Sequence, residues 1–351
     1  MAVTDEVSVG VVGCGRSAVL GHLPAIGRLN GLFRLMAVCD VEKSRRDNVE
    51  KSFPEVRHYR RVEDMLDDPD IELVLIATPS LEHESIALEC LRRNIWTVCE
   101  TPVSQTHDGA LVLRGAALKA GHKLIASTPA LFSPEFRLAS MARMRRKIGS
   151  LYDIRIRQAC YLRRDDWQAT RKRGGGAAFF AAQEPVLQAL TLLKAQPVQM
   201  WSEIKKLVAL GDAEDYAHLI FRTADGITAD VEANSAVLRA VEPAITLRGT
   251  RGSFSVMPGA MEGHYCVVDS GQRFSHRRSS VALPPIEEPC EKVRVVEQNV
   301  SLPDPVPAYE AFWRAVYATA RMNRPFPVDF DLVVEMARYI DIVRKSAPVA
   351  I

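Results

Sequence analysis

The chain has 351 residues, of which 47% are hydrophobic and 25% charged, with a formal net charge of +2. That length exceeds what one hydrophobic core usually organises, so two domains are expected. The near-neutral charge argues against nucleic acid as a partner, and no apolar run approaches the roughly 18 residues of a membrane span. Seven cysteines, at 14, 39, 90, 99, 160, 266 and 290, contain no C-x-x-C pair. They read as reduced thiols of a cytoplasmic protein rather than a disulfide framework or a metal site. The opening Met-Ala-Val-Thr-Asp-Glu is acidic and runs straight into a strand, unlike a signal peptide.

Val7 to Val12 is an apolar run of strand length ending in Gly13-Cys14-Gly15, with Arg16, Ser17 and a small Ala18 behind it. Leu20, Leu23, Ile26 and Leu29 then recur at helical spacing. Strand, glycine turn and helix start make a phosphate cradle. Small residues let the backbone approach, and the helix N-terminus offers unpaired N–H donors with partial positive charge. The same turn also joins strands to helices where nothing binds, so alone it leaves both readings open. Phe33 to Cys39 reads as a second buried strand ending at Asp40, 25 residues past Gly15, near the spacing of about 20 for an acid that accepts ribose hydroxyls. A carboxylate there repels a 2′-phosphate and favours NAD, while Arg45 and Arg46 keep NADP open. The plain alternative is an aspartate capping a helix over Glu42–Ser52.

Val62–Leu66 reads as a short helix and Leu73–Ile76 as a fully apolar strand. Ser80 is placed to cap a helix over Glu82–Arg93, with Ile86, Ala87, Cys90 and Leu91 in one stripe. Trp96–Cys99 is a strand, Thr106–Ala120 a helix and Lys123–Ala126 another strand. This alternation predicts a doubly wound parallel sheet. Ligands then bind outside the strand C-termini, which directs attention to Ala77-Thr78-Pro79-Ser80 and Glu100-Thr101-Pro102. Further on, Leu151–Leu162 is a long strand candidate. Gln199 to Leu210 partly alternates, with Met200, Ser202, Ile204, Lys206 and Val208 on one face. Ile227–Val237 follows a tight Asp225-Gly226 turn. Helices over Tyr309–Asn323 and Phe330–Ser346 are separated by Pro325 and Pro327.

Several spaced motifs together carry a resemblance. Gly13-Cys14-Gly15 with His22-Leu23-Pro24-Ala25, Ala77-Thr78-Pro79 with His83, and Cys99-Glu100-Thr101-Pro102 are similar to those of the glucose–fructose oxidoreductase, inositol dehydrogenase and MocA family. The likeness continues through Phe132-Ser133-Pro134, Ile148-Gly149, Trp167 with Gly174-Gly175-Gly176-Ala177, Leu247 to Ser253 and the tail from Tyr309, nearly the whole chain. It implies an α/β fold: a Rossmann doubly wound parallel sheet over residues 1–128, then an α+β domain over 129–351 with an open, largely antiparallel sheet. The last helices of that second domain can pack back on the first. It also implies a nicotinamide cofactor held by Gly13, Gly15, Arg16, Ser17, Ala18, Asp40, Thr78, Pro79, His83, Glu100 and Thr101. The partners implied are a small-molecule substrate and further copies of the chain, as a homodimer or homotetramer.

The family's usual lysine, aspartate and histidine are all replaced. Its Glu-Lys-Pro reads Glu100-Thr101-Pro102, and no lysine occurs between Lys51 and Lys119. Counting past the glycine triplet puts Phe180 and Glu184 where the aspartate and histidine are expected. No aspartate lies between Asp166 and Asp212, and no histidine between His122 and His218. The arginine that often precedes the Phe-x-Pro segment is Leu131. One positioned acid or base contributes about 10²–10⁴-fold in rate, or roughly 3–5 kcal/mol, so the replacements must change the chemistry.

Glu184 is the surviving acid–base candidate. An apolar Phe180 would raise its pKa, although Gln183-Glu184-Pro185 also reads as an ordinary helix start. Thr101 can donate a hydrogen bond, and Tyr161 a proton from the strand below. His83 reads as structural as readily as cofactor-binding. Arg163, Arg164, Arg171, Lys172 and Arg173 flank the glycines, where they attract an anionic substrate group or form a solvated loop. Two functions remain: an NAD(P)-dependent oxidoreductase with a rebuilt proton relay for a sugar-derived or other small carbonyl, imine or alcohol, or an inactive cofactor-binding regulator.

Overall fold

The computed structural model describes residues 6–239, 241–274 and 292–346. Cys290 and residues 1–5 of the acidic opening segment lie outside them. Six strands, β1 (Val7–Val12), β2 (Phe33–Cys39), β3 (Arg57–Tyr59), β4 (Leu73–Ile76), β5 (Trp96–Cys99) and β6 (Leu124–Ala126), form the first sheet in the order β3-β2-β1-β4-β5-β6. Every pair is parallel. A parallel sheet is covered on both faces, so its central strands are continuous apolar runs; β4 is Leu-Val-Leu-Ile, buried throughout. The strand order reverses between β1 and β4, which opens a crevice at their C-terminal ends.

The covering helices are α1 (Leu23–Arg28), α2 (Lys43–Glu50), α3 (Val62–Leu66), α4 (His83–Arg92) and α5 (His107–Lys119). The stripe expected from Leu20 to Leu29 is interrupted. Residues Ala18–His22 wind as a π turn before α1, and the wider turn rotates the register. Leu20 points to solvent at 70% exposure, while His22 turns inward and is fully buried. Thr106 caps α5 by accepting from the Gly109 N–H at 3.1 Å. Ser80 does not cap α4; its hydroxyl instead accepts from Gln105 Nε2 at 3.0 Å.

The second sheet has eight strands: β7 (Leu151–Ala159), β8 (Pro197–Lys205), β9 (Tyr216–Thr223), β10 (Thr228–Asn234), β11 (Ile245–Gly249), β12 (Gly252–Val256), β13 (Glu262–Val268) and β14 (Val295–Ser301). Their order is β14-β13-β12-β11-β7-β10-β9-β8, antiparallel except for the parallel β7–β10 pair. Burial alternates along β9, β10 and β11, as in a sheet with one packed and one open face. Helices α6 (Pro134–Arg145), α7 (Ala177–Phe180) and α8 (Gln183–Leu193) cover the packed face. Three strands end short of their sequence patterns: β7 at Ala159 rather than Leu162, β8 at Lys205 rather than Leu210 and β10 at Asn234 rather than Val237. Past β8, the backbone N–H groups of Leu207 and Val208 turn to donate to the Asp215 carboxylate at 2.6 and 2.7 Å, which takes the chain out of the ladder.

The last helices, α9 (Ala308–Met322) and α10 (Phe330–Ser346), return toward the first sheet. Phe312, Trp313, Val316 and Tyr317 of α9 share one core with Val7, Val9, Val11 and Ile26, and α10 packs between α5 and α8. Among the described residues no helix is long and apolar enough to cross a membrane.

Candidate functional site

Five strand ends of the first sheet converge at the crevice, each one residue past its ladder. Gly13 follows β1, Asp40 β2, Ala77 β4, Glu100 β5 and Ser127 β6. The ladder fixes all five: the N–H groups of Gly13, Asp40, Ala77, Glu100 and Ser127 donate to the Cys39, Tyr59, Val12, Ile76 and Cys99 carbonyls at 2.7–3.3 Å. Gly13 has φ +89°, and a Cβ there would lie 2.5 Å from the Ala77 carbonyl oxygen, so the turn admits only glycine. At Gly15 a Cβ would meet nothing closer than 4.0 Å; its bare backbone faces open space, as a phosphate cradle requires.

Asp40 braces the glycine turn and the start of α2. One oxygen accepts the Cys14 N–H of the glycine turn and the other the Glu42 N–H at the start of α2, each at 2.9 Å. Arg45 approaches the carboxylate to 3.7 Å, and Arg46 donates to the Asp40 carbonyl. Thr78 Oγ1 is buried without a hydrogen-bond partner, and such an orphan invites a ligand group. His83 bridges the loops after β4 and β5, facing the Thr78 carbonyl at 2.9 Å and the Pro102 carbonyl at 2.7 Å. Both its ring nitrogens are occupied, so it braces these loops.

The centre of the site is Glu100. Its Oε1 accepts from Ser17 Oγ at 2.7 Å, from Ser127 Oγ at 3.3 Å and from His22 Nε2; its Oε2 makes no hydrogen bond among the described residues. Burial opposes ionisation of this carboxyl, but the bond and the charge of His22, then the bond from Ser17 and the charge of His83, outweigh it and hold its pKa below the ordinary value. Tyr309 of α9 stands edge-on to His22, with ring centroids 4.9 Å apart. Burial and the Glu100 and Glu184 charges push its phenol well up.

Glu184 occupies the first turn of α8, two residues inside its start, so the helix-start reading of Gln183-Glu184-Pro185 holds. Its side chain is half-buried, near enough to Glu100 for that charge to act on it. Burial, then the Glu100 charge, raise its pKa from 4.5 to about 7, against a smaller opposing effect of the Ala130 backbone. Phe180 lies beyond, edge-on to Trp167 at 5.9 Å and under the Arg164 guanidinium. Thr101 is half-buried, and its hydroxyl makes no hydrogen bond among the described residues.

The other candidates separate from this cluster. Tyr161 is 47% exposed in an isolated bridge with Ala236, and it shares no hydrogen bond or ring contact with Glu100 or Glu184 among the described residues. The basic loop is largely engaged: Arg163 donates to the Val208 carbonyl, Arg164 pairs with Asp166, and Arg171 lies 3.3 Å from the buried Glu214. Lys172 and Arg173 are left exposed. A cavity of about 520 Å³ opens at the far end of α8, lined by Leu131, Lys194 and Asp329 among others, away from the convergent polar groups. Sequence reasoning gave Ser127, Tyr309 and Trp313 no role in the site. His22 stood in a quoted motif without one.

Residues 7–127 match the family described as "Oxidoreductase family, NAD-binding Rossmann fold", and residues 137–255 match the GFO/IDH/MocA C-terminal domain. The chain belongs to the GFO/IDH/MocA oxidoreductase family. It is 22% identical to the scyllo-inositol 2-dehydrogenase (NADP(+)) IolW of Bacillus subtilis over 98% of this chain and 94% of that protein. Among solved structures it resembles an NAD-binding protein from Listeria innocua (TM-score 0.82, 18% identity, 97% of each chain). It also resembles KijD10, a 3-ketoreductase from Actinomadura kijaniata in complex with NADP and TDP-benzene (TM-score 0.80, 17% identity, 98% of each chain). The cradle at Gly13–Gly15, the orphaned Thr78 hydroxyl and the open Oε2 of Glu100 all fit the nicotinamide dinucleotide of this family.

Proposed function

We propose that this family member is an NAD(P)-dependent oxidoreductase whose proton-handling group is Glu184 in place of the usual lysine–histidine pair. Its substrate is a small carbonyl, imine or alcohol, sugar-derived or similar. The observation that supports the proposal is the place of Glu184, half-buried at the start of α8, where burial and then the Glu100 charge raise its pKa to about 7. A carboxyl that changes charge near neutrality is matched to general acid–base work at working pH. The cofactor, when bound, supplies or accepts the hydride. Gly13, Gly15 and the helix start behind them would hold its phosphates, Asp40 a ribose, and Glu100 and Thr78 the nicotinamide end.

Thr101 donates a hydrogen bond to the reacting oxygen or nitrogen, and Glu184 gives or takes the proton. Neither adds positive charge, so an already protonated imine demands least of this site. We assign residues 1–128 to the cofactor and 129–351 to substrate and self-association, with Lys172 and Arg173 available to an anionic substrate group.

The test mixes purified protein and cofactor with sugars, cyclitols, keto acids and imines while following absorbance at the nicotinamide band. Turnover of one class, reduced about 10²–10⁴-fold in Glu184→Gln, supports the assignment. Cofactor binding without turnover of any class would instead favour an inactive binding protein.

A further inference from the structure

The turn that carries the glycine triplet, residues 170–177, lies between two supports. One is the connection from β8 to β9. There Asp212 Oδ1 accepts the Arg171 N–H at 2.9 Å, and the Glu214 carbonyl accepts the Ala177 N–H at 2.7 Å. The Glu214 side chain is buried beneath the triplet, so close that a Cβ at Gly176 would overlap its carboxylate. It pairs with Arg171, Oε2 to Nε 3.3 Å. A charge pair buried in this way adds little to stability as such; it holds Arg171, and the turn with it, in one place. The other support is the pair of loops after β4 and β5. Gln105 Nε2 donates to Ser80 Oγ at 3.0 Å, and that hydroxyl donates to the Gly174 carbonyl at 3.5 Å. A Cβ at Gly174, where φ is +79°, would lie 2.8 Å from Ser80 Oγ and 2.9 Å from Gln105 Oε1. The bare backbone of the turn is therefore what packs on these loops.

Those loops also carry Thr78 and Glu100. His83 links them through the Thr78 and Pro102 carbonyls, and Ser80 stands two residues past the orphaned Thr78 hydroxyl. Whatever orders the loop after β4 therefore steadies the seat of Gly174, and a seated turn steadies the loop. We propose that Glu214 is a positioning residue that seats the turn on these loops, so that binding of the nicotinamide dinucleotide and order in the turn reinforce each other. This rests on the reading of the loop after β4 as part of the cofactor's seat, and it does not involve Glu184. Such coupling is reciprocal. A cofactor that orders the loop must order the turn, and a loosened turn must weaken the cofactor by the same factor. Lys172 and Arg173 are exposed on this turn, so the cofactor also fixes the cations available to an anionic substrate group.

The test measures hydrogen–deuterium exchange of the full chain with and without NAD or NADP, and the dissociation constant of each by calorimetric titration. In the native protein the cofactor should slow exchange in residues 77–81 and in residues 170–177 alike. Glu214→Gln keeps the shape of the side chain and drops the charge that pairs with Arg171. It should speed exchange in 170–177, weaken the cofactor about fivefold or more, and lose the protection of that turn even with cofactor at saturation. Gly174→Ala wedges the turn off Ser80 and Gln105 from the other side and should act in the same way. The two variants combined should weaken the cofactor no further than the more damaging one alone. Should Glu214→Gln fail to fold, Arg171→Gln breaks the same pair from its more exposed side and should have the same effects.

A role confined to stability would lower the melting temperature of these variants and leave their cofactor constants unchanged; that result overturns the inference. Protection of 77–81 without 170–177 in the native protein also overturns it, and leaves the cofactor reading of the loop standing. Protection of neither segment overturns that reading, and the inference with it.

Discussion

Glu184→Gln should make the protein more stable at neutral and alkaline pH while removing the proposed proton-handling group. Burial beside Glu100 raises the native carboxyl from 4.5 to about 7. A tenfold change in proton affinity is worth about 1.36 kcal/mol, so the ionised native side chain costs about 3 kcal/mol before screening. Glu184 is only half-buried, so with solvent screening we expect about 2 kcal/mol. The sign follows from the native value lying above the unfolded one. Below pH 4.5 both states carry the proton and Glu184 costs nothing; between 4.5 and about 7 the unfolded chain ionises first and stability falls; above that the cost is constant.

Glutamine cannot ionise, so the advantage of the variant should be near zero at about pH 4.5 and full at about pH 8. Urea unfolding of both proteins across that range measures it, and groups that titrate alike in the two cancel. An advantage that does not change with pH, or a variant less stable at the alkaline end, would refute the reasoning.

Gly21→Ala would place a Cβ 2.4 Å from a ring carbon of Tyr309. The ring cannot retreat through the buried His22, so thermal unfolding should show a loss of about 1–3 kcal/mol together with weaker cofactor binding. Asp40→Ala strips the Cys14 and Glu42 N–H groups of their acceptor. It should cost on the order of 2 kcal/mol in unfolding measurements and weaken NAD in calorimetric titration more than it weakens NADP. In the native protein, alkylation mapped by mass spectrometry should mark the exposed Cys160 first. Burial pushes the Cys14, Cys39 and Cys90 thiols up to about 12 and Cys99 well up, so these should react only as the protein unfolds.

The first sheet could be read from the sequence because its signals are local. Continuous apolar runs such as Leu73–Ile76 belong to parallel strands covered on both faces, and each run ends where a turn residue must lie. The glycine turn, Asp40 and Glu100 follow directly from those strand ends. Edges were less legible where tertiary bonds decide them: Asp215 draws Leu207 and Val208 out of the alternating pattern, and the π turn at Ala18–His22 moves Leu20 outward.

What the sequence could not contain is which groups meet. His22 and Trp313 stand 291 positions apart, and the amphipathic pattern of α9 says only that one of its faces is buried. Glu184 reads equally well as the ordinary first turn of a helix until the fold sets that turn beside Glu100. Proton affinity in a buried cluster depends on the charge, dielectric and hydrogen bonds within a few ångströms, and those neighbours are assembled by the packing of α8 and α9 against the strand ends. Sequence thus determined the glycine turn and the strand ends, and tertiary structure decided which charges and hydrogen bonds surround each carboxyl.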